Sequence, residues 1–313
     1  MIDVSPKFSS LRYALAEGFL YGKKETLQRV FDKTIPKGDV TEVARAAGIS
    51  AAKRCADWIT FCHPIPLDWV EVKLELQKDT IKITAEVRSV WKTGVEMEAI
   101  TAVSAALLNA YDMLKPLDDS LSFGDIRVVM KKGGKSDFSD SFKKDIKTAV
   151  LVLSDSAHAG KRKDKSGKVI LEFLVDKPVK VDFYEVLPDD GKIIADRLRQ
   201  LADEEKVKLI FTTGGTGLGP RDVTPEATLA VIDRSVPGIV EVIRSYGKDR
   251  TPFAMLSRGE AGVRGDSVIV NLPGSSKGAL ESLQALFPGL LHIFPMIQGK
   301  SHNESDHKAI REV

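Results

Sequence analysis

A chain of 313 residues is long enough for about two domains, and 43% hydrophobic with 29% charged residues is the balance of a globular protein rather than a disordered one. Against 44 Asp and Glu stand 46 Lys and Arg, a formal charge of +2, which argues against coating nucleic acid through bulk charge. The two cysteines, Cys55 and Cys62, exclude a disulfide-rich secreted scaffold and have no common zinc spacing, so they read as reduced thiols. The opening MIDVSPKFSSLRYALAEGF lacks a basic segment followed by an apolar one, so no targeting signal is read there. Residues 41–58 read as a helix, with Thr41 as its cap and Gly48 as its weak point. After the Pro-rich CHPIPL, the segments VEVKLEL and IKITAEV alternate apolar and polar residues around QKDT, which predicts an antiparallel hairpin. From Glu96 to Leu114 apolar residues recur at steps of three and four, which predicts an amphipathic helix that Pro116 ends. DIRVVMK returns as a strand. The first half is therefore expected to be α+β, an antiparallel sheet with helices on one face, ferredoxin-like in class.

The polar stretch KKGGKSDFSDSFKKD predicts a linker. The expected organisation is a domain over 1–138, a linker over 139–146 with the boundary near Lys143, a domain over 147–300 and a polar, frayed tail over 301–313. In the second half strands and helices alternate. KTAVLVL, VKLIFTT and VIVNLPG read as buried strands, each leading to polar or glycine-rich residues, with helices at 190–205, from 225, and along SKGALESLQALF. That pattern predicts an α/β domain with a mainly parallel, Rossmann-like sheet, whose ligands sit beyond the carboxyl ends of the strands. The late apolar stretch LQALFPGLLHIFPMI is broken by Pro288, Gly289, His292 and Pro295 and is shorter than a bilayer span, so no membrane partner is expected and the location is read as cytoplasmic.

TTGGTGLGPRDVTPEAT carries the strongest chemical signal of the second half. Glycines directly after a buried strand let backbone N–H groups approach a phosphate, and Asp222 is a short carboxylate on the same loop, suited to Mg²⁺ or a polar substrate group. The loop is neither a Rossmann GxGxxG nor a Walker loop. Ser154 and Asp155 end another strand and face the same edge; the basic KRKDK run nearby reads equally as a phosphate contact or a solvated loop. LPGSSKG repeats the strand–glycine–helix theme, and Asp189 ends a further strand, where it also suits a helix cap. In the first half His63 sits in a Pro-fixed turn beside Cys62, suited to substrate contact or to structure. Glu96 and Glu98 are two apart and do not share a helix face, whereas Asp112 and Lys115 are i,i+3 and read also as a surface ion pair. Lys37, Lys53, Lys92, Lys131, Lys132 and Lys135 make this half lysine-rich, which suits a polyphosphate substrate more than a long nucleic acid.

MIDVSPK, KGDV, AGISAAKR, CHPIPL, KTGVEMEAITAVSAALLNAYDM and KKGGKSDF together resemble MoaC, the cyclic pyranopterin monophosphate synthase family of molybdenum cofactor biosynthesis, over about residues 1–138. SDS…DKSG, LPDD, TTGGTGLGPRDVTPEAT and NLPGSSKG resemble the MoaB/MogA family, which handles molybdopterin, over about 147–300. The whole chain is similar to a MoaC–MoaB fusion. The first resemblance implies conversion of a cyclised dihydro-GTP into cyclic pyranopterin monophosphate with loss of pyrophosphate. It implies an active-site role for Asp112, acid/base roles for Lys37 and Lys115, and substrate contacts at Arg12, Lys53, Phe61, Cys62, His63, Met97, Glu98 and Lys135. The crowded lysines are expected to depress one another's pKa. It also implies a homo-oligomer, a hexamer with sites between subunits. The second resemblance implies adenylyl transfer from Mg-ATP to molybdopterin. Asp189 and Asp222 would be the functional carboxylates, Asp222 would take the Mg²⁺ that comes with ATP, and Gly214, Gly215, Thr216 and Gly217 would bind phosphate or pterin, with Ser154 and Asp155 nearby. No tightly bound cofactor is implied; Mg and ATP enter as co-substrates.

Departures from the families' patterns are KKGGKSD in place of a segment with Ser at position 132 and Gly at 137, Leu15 in place of a basic residue, and the GLGPRD form of the glycine loop. A bifunctional enzyme is the leading reading. The alternatives are an active synthase fused to a non-catalytic pterin-binding or assembly module, and an inert nucleotide-binding regulator; the joint presence of Lys37, His63, Asp112 and Lys115 counts against the regulator.

Overall fold

The computed structural model describes residues 1–299 and 310–311, leaving aside the side chains of residues 135, 136, 310 and 311. The chain divides into two compact units, Met1–Asp137 and Phe138–Val313.

In the first unit the elements run β1 (Ser10–Tyr21), α1 (Lys24–Phe31), α2 (Val40–Ala52), α3 (Cys55–Trp58), β2 (Trp69–Gln77), β3 (Thr80–Trp91), α4 (Glu96–Leu114) and β4 (Ser122–Lys132). They form an antiparallel four-stranded sheet in the order β2-β3-β1-β4. Alternation along β3 sends Ile81, Ile83, Ala85 and Val87 into the core, where they meet the small-residue face of α4, Ala99, Ala102, Val103, Ala106 and Ala110. Each large aliphatic side chain buried this way contributes about 1.5–3 kcal/mol. The small residues set a close approach: a Cβ on Gly18 of β1 would lie 2.8 Å from both Val103 and Leu107.

The helix expected over 41–58 is two helices. Asp39 rather than Thr41 caps the first, its carboxylate accepting from the amides of Thr41 and Glu42, and the chain breaks at Lys53–Arg54 before α3. Gly48 does not interrupt α2, because a Cβ there would meet the Ala102 carbonyl at 2.9 Å; it lets α2 lie close on α4. The strand β1, unmarked in the sequence reading, is the centre of the sheet.

After a 3₁₀ turn at Lys135–Phe138, the second unit contains β5 (Ser141–Phe142), β6 (Ile146–Leu153), α5 (Asp155–His158), α6 (Ser166–Leu174), β7 (Val179–Leu187), α7 (Gly191–Asp203), β8 (Leu209–Thr213), α8 (Thr224–Leu229), β9 (Arg234–Ser235), α9 (Pro237–Lys248), β10 (Ala261–Arg264), β11 (Ser267–Leu272), α10 (Ser276–Leu286), α11 (Ile293–Ile297) and β12 (Ile310–Arg311). The residues 139–146 thus hold β5 and the start of β6. Six strands form one sheet in the order β7-β6-β8-β11-β10-β9, parallel from β7 to β11 and antiparallel beyond. Residues on β6 alternate between two cores, Val150 packing with Ile170, Ile243 and Leu283 and Leu151 with Ile194, Leu198 and Ala227, which is why the strand reads as one apolar run.

Among the described residues no single helix is long and apolar enough to cross a membrane. The bent pair Ser276–Leu286 with Gly289–Ile297 passes on length and composition, but Leu283, Leu286, Leu290, Leu291 and Phe294 are buried in the core of this unit. The tail expected over 301–313 lies outside the described residues apart from Ile310 and Arg311, whose backbone pairs with Ser141 and Phe142.

Candidate functional sites

In the first unit α2 and α4 run antiparallel, so the loop before α2 meets the end of α4. Lys37 Nζ donates to the Asp112 carbonyl at 2.8 Å and pairs with Asp112 Oδ2 at 3.1 Å, while Lys115 Nζ lies 2.8 Å from Oδ1. One carboxylate thus holds two ammonium groups, at an exposed position open to a ligand. Lys115 and Lys37 together hold the Asp112 carboxyl below the usual carboxylate range. The hydrogen bond and charge of that carboxylate push Lys115 up, so the expectation that the lysines depress one another fails for Lys115.

The other residues expected in the first half lie at the opposite end of α4. Met97 and Glu98 are in its first turn, with Glu98 buried and Met97 partly exposed. Fourteen residues of helix separate Glu98 from Asp112, about 21 Å at 1.5 Å per residue. Burial, then the charge of Glu96, pushes the Glu98 carboxyl up, and its Oε2 has no hydrogen-bond partner. Cys55 packs against the same helix, its Sγ 3.4 Å from Thr101 Oγ1, and burial pushes its thiol up to about 12. Cys62 is half-buried, raised by burial and by Glu98. His63 Nε2 is 3.0 Å from the Ile2 carbonyl, and Phe61 is largely exposed. The buried Arg12 donates to the Trp91 and Lys92 carbonyls at 3.2 and 3.1 Å, fixing the chain that leads into α4. Lys131 on β4 pairs with Glu96 at 3.5 Å. Lys53 caps the end of α2 that points the same way as the start of α4. The side chain of Lys135 lies outside the described residues. Within one chain, then, Lys37, Asp112 and Lys115 form one group and Arg12, Phe61, Cys62, His63, Met97 and Glu98 another.

In the second unit the carboxyl ends of β6, β7, β8 and β11 open on a cleft of about 400 Å³ lined by Ser154, Asp164, Asp189, Gly214, Arg221 and Asp222, among others. Its floor requires glycine. Gly214 has φ +110°, and a Cβ there would lie 2.2 Å from the Leu153 carbonyl; Gly215 has φ +62°. Thr224 Oγ1 donates to the Gly214 carbonyl at 2.9 Å, and the side chain of Thr216 is buried. Ser154 caps α5, and Asp155 and Asp189 exchange amide-to-carboxylate hydrogen bonds. Burial and the charges of Asp155 and Asp222 push the Asp189 carboxyl up. Asp190, not Asp189, caps α7. The structure therefore gathers Ser154, Asp189, Gly214, Gly215 and Asp222 into one lining, whereas Thr216 and Gly217 do not line it and Asp155 is tied to it through Asp189 and Arg221.

Two arginines act on this site without having been singled out as site residues. Arg221 reaches across to Asp155 Oδ2 at 2.5 Å; it stood inside the quoted GLGPRD but carried no separate signal. Arg258 binds the glycine loop from 36 residues beyond Asp222, a distance at which local pattern is silent. Three or more His, Cys, Asp or Glu arranged to hold a metal ion by themselves are not found among the described residues.

Residues 1–134 match the MoaC family, and residues 149–292 match the family described as probable molybdopterin binding domain. A molybdenum cofactor biosynthesis bifunctional protein of Chlorobaculum tepidum is 39% identical over 302 residues, covering 96% of each chain. A cyclic pyranopterin monophosphate synthase of Roseiflexus sp. is 51% identical over 138 residues, 44% of this chain and 87% of its own. Among solved structures, the molybdopterin biosynthesis enzyme MoaB of Thermus thermophilus is 47% identical, covering 50% of this chain and 99% of its own, with a TM-score of 0.48.

Proposed function

The chain belongs to the family of bifunctional molybdenum cofactor biosynthesis proteins, a MoaC domain joined to a molybdopterin-binding domain, and on that premise we propose that its two units carry two different reactions. The first unit converts a cyclised dihydro-GTP into cyclic pyranopterin monophosphate and releases pyrophosphate. The observation that carries this reading is Asp112 held between Lys37 and Lys115. Closing a cyclic phosphate breaks a phosphoanhydride bond, so negative charge grows on the departing pyrophosphate and a hydroxyl must lose its proton. Two ammonium groups organised by one carboxylate supply the neutralising charge and an acid/base pair. Glu98, His63, Cys62, Phe61, Met97, Arg12, Lys53 and Lys135 contact substrate. Because about 21 Å of helix separates Glu98 from Asp112, the working site takes its two groups from different subunits of a homo-oligomer, a hexamer by family pattern.

The second unit binds molybdopterin and adenylylates it with Mg-ATP. The pterin's phosphate oxygen attacks the α-phosphorus of ATP, and pyrophosphate leaves. What supports this is a glycine floor that only hydrogen atoms can line, with Asp189 and Asp222 in the same cleft. Asp189 and Asp222 do not hold a cation by themselves; a Mg²⁺ carried in on the nucleotide's phosphates would find in them the carboxylates to complete its oxygen shell. Backbone amides of Gly214 to Gly217 hold phosphate or pterin, and Ser154 and Asp155 bound the site. The work is done in the cytoplasm on small molecules, without nucleic acid or membrane.

The test is mass spectrometry of both reactions with the full chain beside Asp112→Ala and Asp222→Ala. Each substitution is expected to abolish its own product and spare the other. A folded wild-type protein that binds molybdopterin yet yields no adenylylated product with Mg-ATP would leave the second unit as a binding module.

A further inference from the structure

Asp222 closes a loop that is gripped from outside by one side chain. Arg258 follows the 3₁₀ turn Pro252–Leu256; its Nε donates to the Gly217 carbonyl at 2.7 Å and its Nη2 to the Asp222 carbonyl at 2.6 Å. Nη1 pairs with Glu226 in the first turn of α8, and the Arg258 amide donates to the Thr216 carbonyl at 2.9 Å. One planar guanidinium therefore spans residues 217, 222 and 226. Inside the loop the Asp222 carboxylate is packed just as tightly. Its Oδ2 accepts from the Gly219 amide at 2.8 Å, and a Cβ on Gly217 or Gly219 would lie 2.8 or 2.9 Å from that oxygen.

We infer that Arg258 is a positioning residue that fixes the Asp222 carboxylate for the cation of the bound nucleotide; the inference rests on the adenylylation reading above. A guanidinium is suited to the task because its donors form a rigid fork, whereas a lysine offers one point charge and cannot reach two carbonyls and a carboxylate in a plane. The carbonyls it holds belong to the two ends of the loop, so losing the fork frees the segment that carries Asp222 while the sheet beneath keeps its own hydrogen bonds.

The experiment uses the full chain with Arg258→Lys and Asp222→Asn. The probes are α,β-methylene-ATP with and without Mg²⁺ by calorimetry, amide exchange of peptides covering 214–223, and steady-state kinetics with molybdopterin. With Arg258→Lys, loop amides are expected to exchange at least about tenfold faster and kcat to fall about 10- to 100-fold, the cost of a misplaced group. Affinity for the Mg²⁺ complex of the analogue should fall by about tenfold while affinity for the metal-free analogue and KM for molybdopterin stay within about threefold, a split that general loosening does not produce. Arg258→Lys with wild-type exchange and wild-type Mg²⁺ dependence would overturn the inference. Asp222→Asn with undiminished Mg²⁺-dependent affinity and turnover would instead overturn the adenylylation reading. Should Arg258→Lys fail to fold, Glu226→Gln withdraws one anchor and is expected to shift the same Mg²⁺-dependent affinity in the same direction by a smaller factor; no shift there would count against Arg258.

Discussion

Asp155 and Asp189 hold each other reciprocally: the Asp155 amide donates to Asp189 Oδ2 at 2.9 Å and the Asp189 amide to Asp155 Oδ1 at 3.0 Å. The exchange ties the carboxyl end of β6 to that of β7 and sets two like charges side by side at the mouth of the cleft. Arg221 balances Asp155, which leaves Asp189 as the carboxyl that burial and its neighbours push up.

Asp189→Asn should therefore stabilise the protein while impairing adenylylation. The amide oxygen still accepts from Asp155, so the tie survives. An acid whose folded pKa is raised carries no penalty while protonated; the penalty grows as pH rises above the ordinary carboxylate value and is complete above the folded pKa. Melting curves should show the variant gaining over wild type at pH 7 and gaining less at pH 3.5. Equal gains at both pH values would count against ionisation as the cause.

Asp112→Asn should remove synthase activity with little effect on stability. The ion pairs of Asp112 are exposed, and solvent screening leaves such pairs little to add to stability. We expect pyrophosphate release to fall by at least about 10²-fold, the scale of a lost acid/base group. The carboxyl is held below its usual range, so Asp112 should titrate lower in the wild type than in Lys115→Met, where the largest cause of that depression is gone, as carboxyl ¹³C NMR reads directly. An Asp112 titration that does not move in that variant would count against Lys115 as the cause.

Gly214→Ala should cost more than about 2 kcal/mol, through the φ of +110° and a Cβ 2.2 Å from the Leu153 carbonyl. Gly238→Ala is the control: it lies in α9 with open space around its Cβ, and should stabilise by up to about 1 kcal/mol. Urea midpoints of the two variants should move in opposite directions.

Asn271→Ala should be among the most destabilising polar changes. Asn271 is buried, its Nδ2 donates to Thr212 and Thr228 at 2.9 Å each, and its Oδ1 accepts from the Glu260 amide at 3.0 Å. Truncation leaves three partners unsatisfied beneath the cleft, a cost of about 2–4 kcal/mol. Denaturant titration of the second unit reads it; a loss below about 1 kcal/mol, on the order of a single hydrogen bond, would mean that water replaces the amide.

Much of the architecture was legible where a pattern is local. The apolar steps from Glu96 to Leu114 give α4 to its last residue, and the alternation around QKDT gives β2 and β3. β1 was not legible because both of its neighbours come from far along the chain and its residues Ala14, Ala16 and Gly18 are chosen for packing under α4, not for strand propensity, while Glu17 faces the other way and pairs with Lys82 and Arg127. Thr41 looked like a cap because it opens the run of helix formers; Asp39 takes that place because its carboxylate accepts from the Thr41 and Glu42 amides. The glycine loop announced itself through backbone requirements that only glycine meets. Arg258 did not, since its role is to hold carbonyls of residues it never neighbours in sequence. The direction of the Lys115 shift was misjudged because the crowding of lysines was weighed above its i,i+3 carboxylate, Asp112, which pushes it up.

The length of α4 has a genetic consequence. Thermal motion does not close about 21 Å of intact helix, so on the shared-site reading each subunit lends one end of α4 to one site and the other end to a neighbouring site. An allele damaged at His63 or Glu98 and an allele damaged at Asp112 would each be null alone. Expressed together, their products would form mixed oligomers in which some sites inherit one sound group from each parent. Two defective copies would then restore pyranopterin synthesis between them, whereas two alleles damaged at the same end of the helix would not.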